Sequence, residues 1–222
     1  MSQYEIEIKS LLGSKENADK LRAEVESKGG KLIGQNKQLN HYFTLKDVAR
    51  FREALLPHIP AEKREMFKKV LQDSKDISVR TRDADGKVFL VVKSSVGSDT
   101  SANGVSRMEF EAVMAMSLDE LDSLLLSAGL EYQAKWSRER EEYELGPTHV
   151  CLDKNAGYGY LAEFERMGDD VSETPSLKQE LQALMSEFGV AELPQPRLER
   201  MFAFYNENWR DYYGTDKVFN IE

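Results

Sequence analysis

Apolar and charged positions alternate from the start of the chain. In Tyr4-Glu5-Ile6-Glu7-Ile8-Lys9, Glu5, Glu7 and Lys9 share one face of a strand while Tyr4, Ile6 and Ile8 share the other. The period returns at Val79–Arg82, Arg107–Glu111, Arg138–Arg140 and Leu161–Glu165, each stretch putting two or three ionisable groups on one side. A solvated sheet face usually mixes Thr, Ser, Lys and Gln. Here acid pairs and basic pairs occupy separate strands, as a charge-lined cavity requires.

Between these strands the period becomes helical. Ser14 caps a helix to about Lys28 that carries Ala18, Leu21 and Val25 on one face and stops at Gly29-Gly30; a strand follows over 31–45. Residues of about 47–75 read as an insertion of two short basic helices, with Phe51, Leu55, Phe67 and Val70 at helical spacing and a solvated face preferred to a lid. Strands 77–82 and 87–93 form a hairpin around Asp83–Gly86, followed by a Ser- and Gly-rich loop to Ser106. Ser117-Leu118-Asp119-Glu120 is a capping box for a helix ending at Gly129. Strands follow over 138–145, 149–153 and 160–166, then a helix opened by Thr174-Pro175. The tail of about 196–222 holds a helix whose Phe202, Tyr205, Trp209 and Tyr212 stripe reads as packing.

Three strands with Glu-x-Glu, at Glu5, Glu109 and Glu163, each precede an amphipathic helix that ends at glycine. Helices covering the apolar strand faces from outside leave the charged faces to meet across a closed sheet. The expected fold is therefore α+β, one domain over 1–222, with a polar interior and an apolar exterior under helices.

Length and composition narrow the rest. With 222 residues, 41% of them hydrophobic, the chain is long enough for one good-sized domain. It has neither a run of about 18 apolar residues nor a basic-then-apolar leader, so a soluble, cytoplasmic protein is expected. Cys151 stands alone and reads as a small, partly buried residue; His41, His58 and His149 show no metal-ligand spacing. A net charge of −9 argues against loose binding to nucleic acid or an anionic membrane. An anionic ligand then needs a local basic cluster, with a divalent cation to reconcile it with nearby carboxylates.

If the charged strands face one lumen, it holds Glu5, Glu7, Glu109, Glu111, Asp153, Glu163 and Glu165 against Lys9, Arg80, Arg82, Lys93, Arg107, Arg138 and Arg140. Burying an unpaired ion costs several kcal/mol, so such a lumen must be wet and occupied by ions. Glu-x-Glu pairs suit a hard cation such as Mg²⁺ or Mn²⁺, and arginines at i, i+2 can fork onto successive phosphates. A linear polyphosphate with bound metal fits that lining better than a sugar or a peptide.

These residues resemble the CYTH, or triphosphate tunnel metalloenzyme, superfamily, which includes thiamine triphosphatases, inorganic tripolyphosphatases and class IV adenylate cyclases. Glu5-Ile6-Glu7-Ile8-Lys9 is similar to its ExExK signature. Arg80 and Arg82 resemble its paired basic strand, Lys93 its following lysine, and Arg107-Met108-Glu109-Phe110-Glu111 its RxExE strand. Arg138 to Tyr143 is similar to its KxRxxY stretch, with Lys135 just before, and Asp153 through Gly159 to Glu163-Phe164-Glu165 resembles its closing segment. The resemblance implies an eight-stranded antiparallel tunnel. It implies metal at Glu5, Glu7, Glu109, Glu111, Asp153, Glu163 and Glu165, and substrate held by Lys9, Arg80, Arg82, Lys93, Arg107, Lys135, Arg138 and Arg140. Glu5, Glu7, Lys9 and Arg82 are expected to serve the chemistry directly.

The expected activity is Mg²⁺- or Mn²⁺-dependent hydrolysis of a small-molecule triphosphate by a monomer or homodimer. The runner-up is adenylate cyclisation of ATP, which the lack of a separate adenine-reading motif disfavours slightly. A binding module without turnover is the third reading, against which the number of carboxylates counts.

Overall fold

Strand β1 (Tyr4–Leu11) lies between β5 (Arg107–Val113) and β8 (Gly159–Gly168), and the sheet continues from β5 through β4 (Lys87–Ser95), β3 (Lys75–Ala84), β2 (Lys31–Thr44), β6 (Glu131–Leu145) and β7 (Thr148–Asn155) back to β8. All neighbours are antiparallel and the barrel closes on itself. The computed structural model describes residues 4–72, 75–95 and 107–222, so most of the expected Ser- and Gly-rich loop, at 96–106, lies outside the described residues. β1 pairs with β8 along its whole length and, among the described residues, meets β5 at Glu5 opposite Arg107.

The barrel is apolar outside and charged within. Ile6 and Ile8 are fully buried on the outer face of β1, in an apolar layer with Leu21 and Val25 of α1 (Lys15–Ser27) and Leu181 and Met185 of α5 (Thr174–Glu187). A second layer covers β3 to β5: Leu90, Val92 and Phe110 meet Phe51 and Leu55 of α2 (Val48–Leu55), Phe67 and Val70 of α3 (Arg64–Gln72), and Leu121 and Leu125 of α4 (Leu118–Ser127). A third cluster is not part of that outer cover: Leu161 of β8 and Leu198 of α6 (Gln195–Asn208) line the bore itself and pack with Ala134, Met201 and Tyr205. Each fully buried Leu, Ile or Phe contributes about 1.5–3 kcal/mol, so the first two layers put most of the driving force for closure on the barrel's outer surface.

The helical stretch of the expected insertion is thus part of the outer cover, not a lid. Its apolar stripe pins α2 and α3 to the sheet while Lys63 donates to the Glu111 carbonyl at 2.6 Å. The expected caps hold: Ser14 accepts from the Asn17 amide, and the Ser117 side chain and Glu120 form a reciprocal capping box. At the β3–β4 hairpin Asp85 and Gly86 both take positive φ, 50° and 87°, as a two-residue type I′ turn demands.

Candidate active site

Strand parity aims the charged set inward. The lumen is a cavity of about 860 Å³ lined by Glu5, Glu7 and Lys9 of β1, Arg80 and Arg82 of β3, Lys93 of β4, Glu109 and Glu111 of β5, Arg138 and Arg140 of β6, and Glu163 and Glu165 of β8. Lys9 donates to Glu7 at 2.5 Å and lies 3.4 Å from Glu163; Lys93 bridges Glu5 at 2.6 Å and Glu109 at 3.0 Å. Arg82 meets Glu111 at 3.0 Å.

Two residues of the lining, Glu165 and Arg80, lack an ion-pair partner among the described residues. On the acid side, carboxylate oxygens of Glu5, Glu7 and Glu165 all lie within 4.8 Å of one another, and Glu165 makes no ion pair among the described residues. Burial, then the neighbouring Glu5 and Glu163 carboxylates, pushes Glu165 up to about 8. Burial also lifts Glu5 to about 7 against the pull of Lys93. Glu109, for all its burial, is held at about 2 by Lys93 and Arg80. On the basic side, Arg80 makes no ion pair among the described residues; its Nη1 donates to the Tyr42 hydroxyl at 2.8 Å and its buried Nε has no partner. Arg82 is pulled down to about 10 by burial and by Arg80, with Glu111 opposing. The trio of Glu5, Glu7 and Glu165 fits a hard divalent cation: three carboxylate oxygens converge in a desolvated site, and the lysines paired with Glu5 and Glu7 leave Glu165 without a counter-charge among the described residues.

Two expectations change. Lys135 is not in the lumen: Trp136, Arg138 and Arg140 take the inward positions of β6, and Lys135 points outward over the Tyr132 ring at 4.2 Å. Asp153 is on β7 as expected but its carboxylate is closed off, taking Arg140 Nε at 2.8 Å, Arg140 Nη2 at 2.7 Å and Arg138 Nη1 at 3.0 Å. It braces the two arginines, with both oxygens engaged. The Arg107 side chain lies outside what the structure describes.

The sequence reading passed over other residues of the lining. Trp136 stacks 4.7 Å from Tyr158 and 6.3 Å from Tyr42, and Phe202 of α6 joins them, so one part of the cavity is aromatic. The tail stripe is therefore split: Tyr205 is packing, whereas the neighbouring Phe202 reaches the cavity. His149 and Cys151 also line the lumen. His41 faces outward, between Asp122 at 2.6 Å and the Tyr213 hydroxyl at 2.8 Å, and ties the tail to α4.

The CYTH domain profile matches residues 3–195. The chain belongs to the CYTH family. A curated CYTH relative, adenylate cyclase CyaB of Aeromonas hydrophila, is 29% identical over 119 residues, which cover 54% of this chain and 57% of that protein, so the match spans little more than half of the relative's length. Among solved structures, the PH1819 protein of Pyrococcus horikoshii superposes with a TM-score of 0.62 at 21% identity, covering 89% of this chain and 99% of that one. HpAC1 of Hippeastrum, whose description pairs an adenylyl cyclase assignment with a dominant triphosphatase activity, gives 0.54 at 16% identity over 92% of this chain and 96% of that one. These likenesses show the CYTH tunnel fold. No helix among the described residues is long and apolar enough to cross a membrane.

The acid trio makes the stability of this CYTH tunnel depend on pH in a defined direction. Glu5 and Glu165 titrate at about 7 and about 8 in the fold but at an ordinary 4.5 when unfolded. The native state therefore binds more protons than the unfolded state between those limits, and stability falls as pH rises through them. Glu7, Glu109 and Glu163 are shifted downward, and their contribution changes only on the acid side of 4.5. Thermal melts in a chelator are expected to drop by on the order of several degrees from about pH 5 to about pH 8, with saturating Mg²⁺ removing most of the drop. A flat profile in chelator would contradict the clustered, buried carboxylates.

Proposed function

We propose that the tunnel binds a triphosphate together with a divalent cation and hydrolyses its terminal phosphoanhydride bond. The observation that carries this reading is the convergence, in one bore, of the Glu5, Glu7 and Glu165 carboxylates with a set of arginines of which Arg80 makes no ion pair among the described residues. Arg80, Arg82, Arg138, Arg140 and Lys93 grip successive phosphates, the last pair of arginines held ready by Asp153. Glu5, Glu7 and Glu165 hold the cation, Mg²⁺ or Mn²⁺. A cation bound there neutralises phosphate oxygens and lowers the pKa of a coordinated water. Lys9, fixed by Glu7 and Glu163, keeps two of the carboxylates in place and adds positive charge beside the phosphates. Catalysis on this scheme is positioning and charge neutralisation, without a covalent enzyme intermediate.

The aromatic part of the bore supports a substrate with an organic head. Trp136 Nε1, the Tyr158 hydroxyl and Gln195 Oε1 are buried there without hydrogen-bond partners among the described residues. Two of these can donate and two can accept, complementary to a planar heteroaromatic group, which bare tripolyphosphate lacks. That feature also favours, as a second reading, cyclisation of ATP, in which the ribose 3′-hydroxyl attacks the α-phosphorus and pyrophosphate leaves.

Incubation with Mg²⁺ and, separately, tripolyphosphate, thiamine triphosphate and ATP separates the readings. Orthophosphate release supports hydrolysis, cyclic AMP plus pyrophosphate supports the cyclase, and neither product from any substrate leaves only a binding module. Trp136→Ala is expected to raise KM for the organic triphosphates about tenfold, the loss of one stacking contact, while KM for tripolyphosphate stays put. Equal changes for both would remove the head group from the aromatic end.

A further inference from the structure

Strand β7 places a sulfur ligand where the rest of the lining offers oxygen and nitrogen. Cys151 lies opposite Glu163, and His149 opposite Glu165, on adjoining strands whose side chains here face the lumen. The Cys151 sulfur and carboxylate oxygens of Glu163 and Glu165 all fall within 4.8 Å of one another. Packing alone does not account for the thiol. It faces the charged bore and not the apolar outer layer, it is only 3% exposed, and it makes no hydrogen bond among the described residues. Glu165, beside it, likewise has no ion-pair partner among those residues.

We propose that Cys151, Glu163 and Glu165 form a second cation position in the tunnel, one that takes a borderline-soft divalent ion such as Zn²⁺ or Co²⁺ and excludes Mg²⁺. Thiolate with carboxylate is a ligand set for zinc-like ions, whereas Mg²⁺ requires oxygen alone. On binding, the Cys151 thiol proton is released to solvent and the sulfur–metal bond takes its place. To reach the ion Glu163 gives up contacts with Arg140 and Lys9, each of which keeps another carboxylate, Asp153 for Arg140 and Glu7 for Lys9.

Glu165 belongs to both trios, that of Glu5 and Glu7 and that of Cys151 and Glu163. The two positions therefore compete for one carboxylate. A zinc-like ion at the thiol position withdraws a ligand from the Mg²⁺ position and inhibits turnover, and more Mg²⁺ relieves the inhibition. This consequence rests on the triphosphatase or cyclase reading above; the binding itself does not.

The test is a titration of the metal-free protein with Co²⁺ alone, read as the thiolate-to-cobalt charge-transfer absorption in the near ultraviolet. Because the chain has a single cysteine, that band reports Cys151. The band is expected to saturate at one equivalent, to be absent in Cys151→Ser and Cys151→Ala, and to need about tenfold more Co²⁺ in Glu165→Gln. Thermal melts of the variants exclude unfolding as the cause. No band in the wild type, or a band of unchanged affinity in Glu165→Gln, overturns the proposal. If turnover is found, Cys151→Ser is expected to raise the Zn²⁺ concentration needed for half-inhibition about tenfold, and unchanged inhibition overturns the competition. A band without turnover on any triphosphate condemns the enzymatic reading and leaves the thiol position standing.

Discussion

Arg140→Ala is expected to cost about 3–5 kcal/mol of stability and to lower the melting temperature by on the order of 10 °C. Arg140 is 8% exposed and Asp153 only 2%. The guanidinium takes both Asp153 oxygens and contacts Glu163. Its removal leaves Asp153 with Arg138 at 3.0 Å and Glu163 with Lys9 at 3.4 Å, two carboxylates in a desolvated wall with half their counter-charge gone. Truncating one partner of a buried ion pair is far more damaging than the pair's net worth, because the remaining charges keep their desolvation penalty. Arg140→Lys should recover little, since an ammonium cannot span two carboxylates as a planar fork does.

The pH profile distinguishes this account from a packing defect. Against the penalty of its burial, Lys9 and Arg140 hold Glu163 well below the usual carboxylate range. Its contribution in the wild type is therefore present above the unfolded carboxylate pKa and lost as pH falls below it. In Arg140→Ala that acid-side loss should be blunted, so wild type and variant converge at low pH. Melts by circular dichroism at neutral and acid pH check both statements, and a neutral-pH difference of only a degree or two would contradict the buried clamp.

Glu7→Gln and Arg82→Ala should behave in the opposite way, losing activity by about 10²–10³-fold while remaining folded. Glu7 is one of the three carboxylates in the hard-cation trio, and glutamine keeps its shape while removing its charge. Lys9 retains Glu163 at 3.4 Å, so no buried cation is orphaned. Among the described residues Arg82 has one ion pair, to Glu111, and a 3.3 Å hydrogen bond to Asn40 Oδ1, and its charged form is already disfavoured by burial and by Arg80. Deleting it relieves like-charge repulsion as much as it breaks a contact. Steady-state kinetics across a Mg²⁺ series, alongside circular dichroism, separate the outcomes: Glu7→Gln should shift the Mg²⁺ dependence and Arg82→Ala the triphosphate KM. Unfolding of either would mean that these charges support the wall instead of serving the guest.

Period-two parity made the barrel legible, because each charged strand has its apolar half pinned under a helix and a slip by one residue would exchange the two faces. Glu5, Glu7, Lys9, Arg80, Arg82, Lys93, Glu109, Glu111, Arg138, Arg140, Glu163 and Glu165 all line the cavity for that reason. Parity applied along β6 also excludes Lys135, one residue out of step with Trp136; the strand begins at Glu131, where the sequence shows no alternation to announce it. The closure of Asp153 was not legible, since it depends on two guanidiniums reaching the same carboxylate across the β6–β7 pair. The aromatic end was hidden because Trp136, Tyr158 and Phe202 meet only when α6 folds over the barrel. His41 and Asp122 stand 81 residues apart on outward-facing positions, beyond any spacing rule.

The two sides of β1 have a mechanical consequence. Ile6 and Ile8 are bolted under helices from behind while Glu5 and Glu7 look into the bore, and the strand is laced to β8 along its whole length. The carboxylates that would clasp an incoming cation thus ride on a stiff stave, so loading the bore need not bend the wall that receives it.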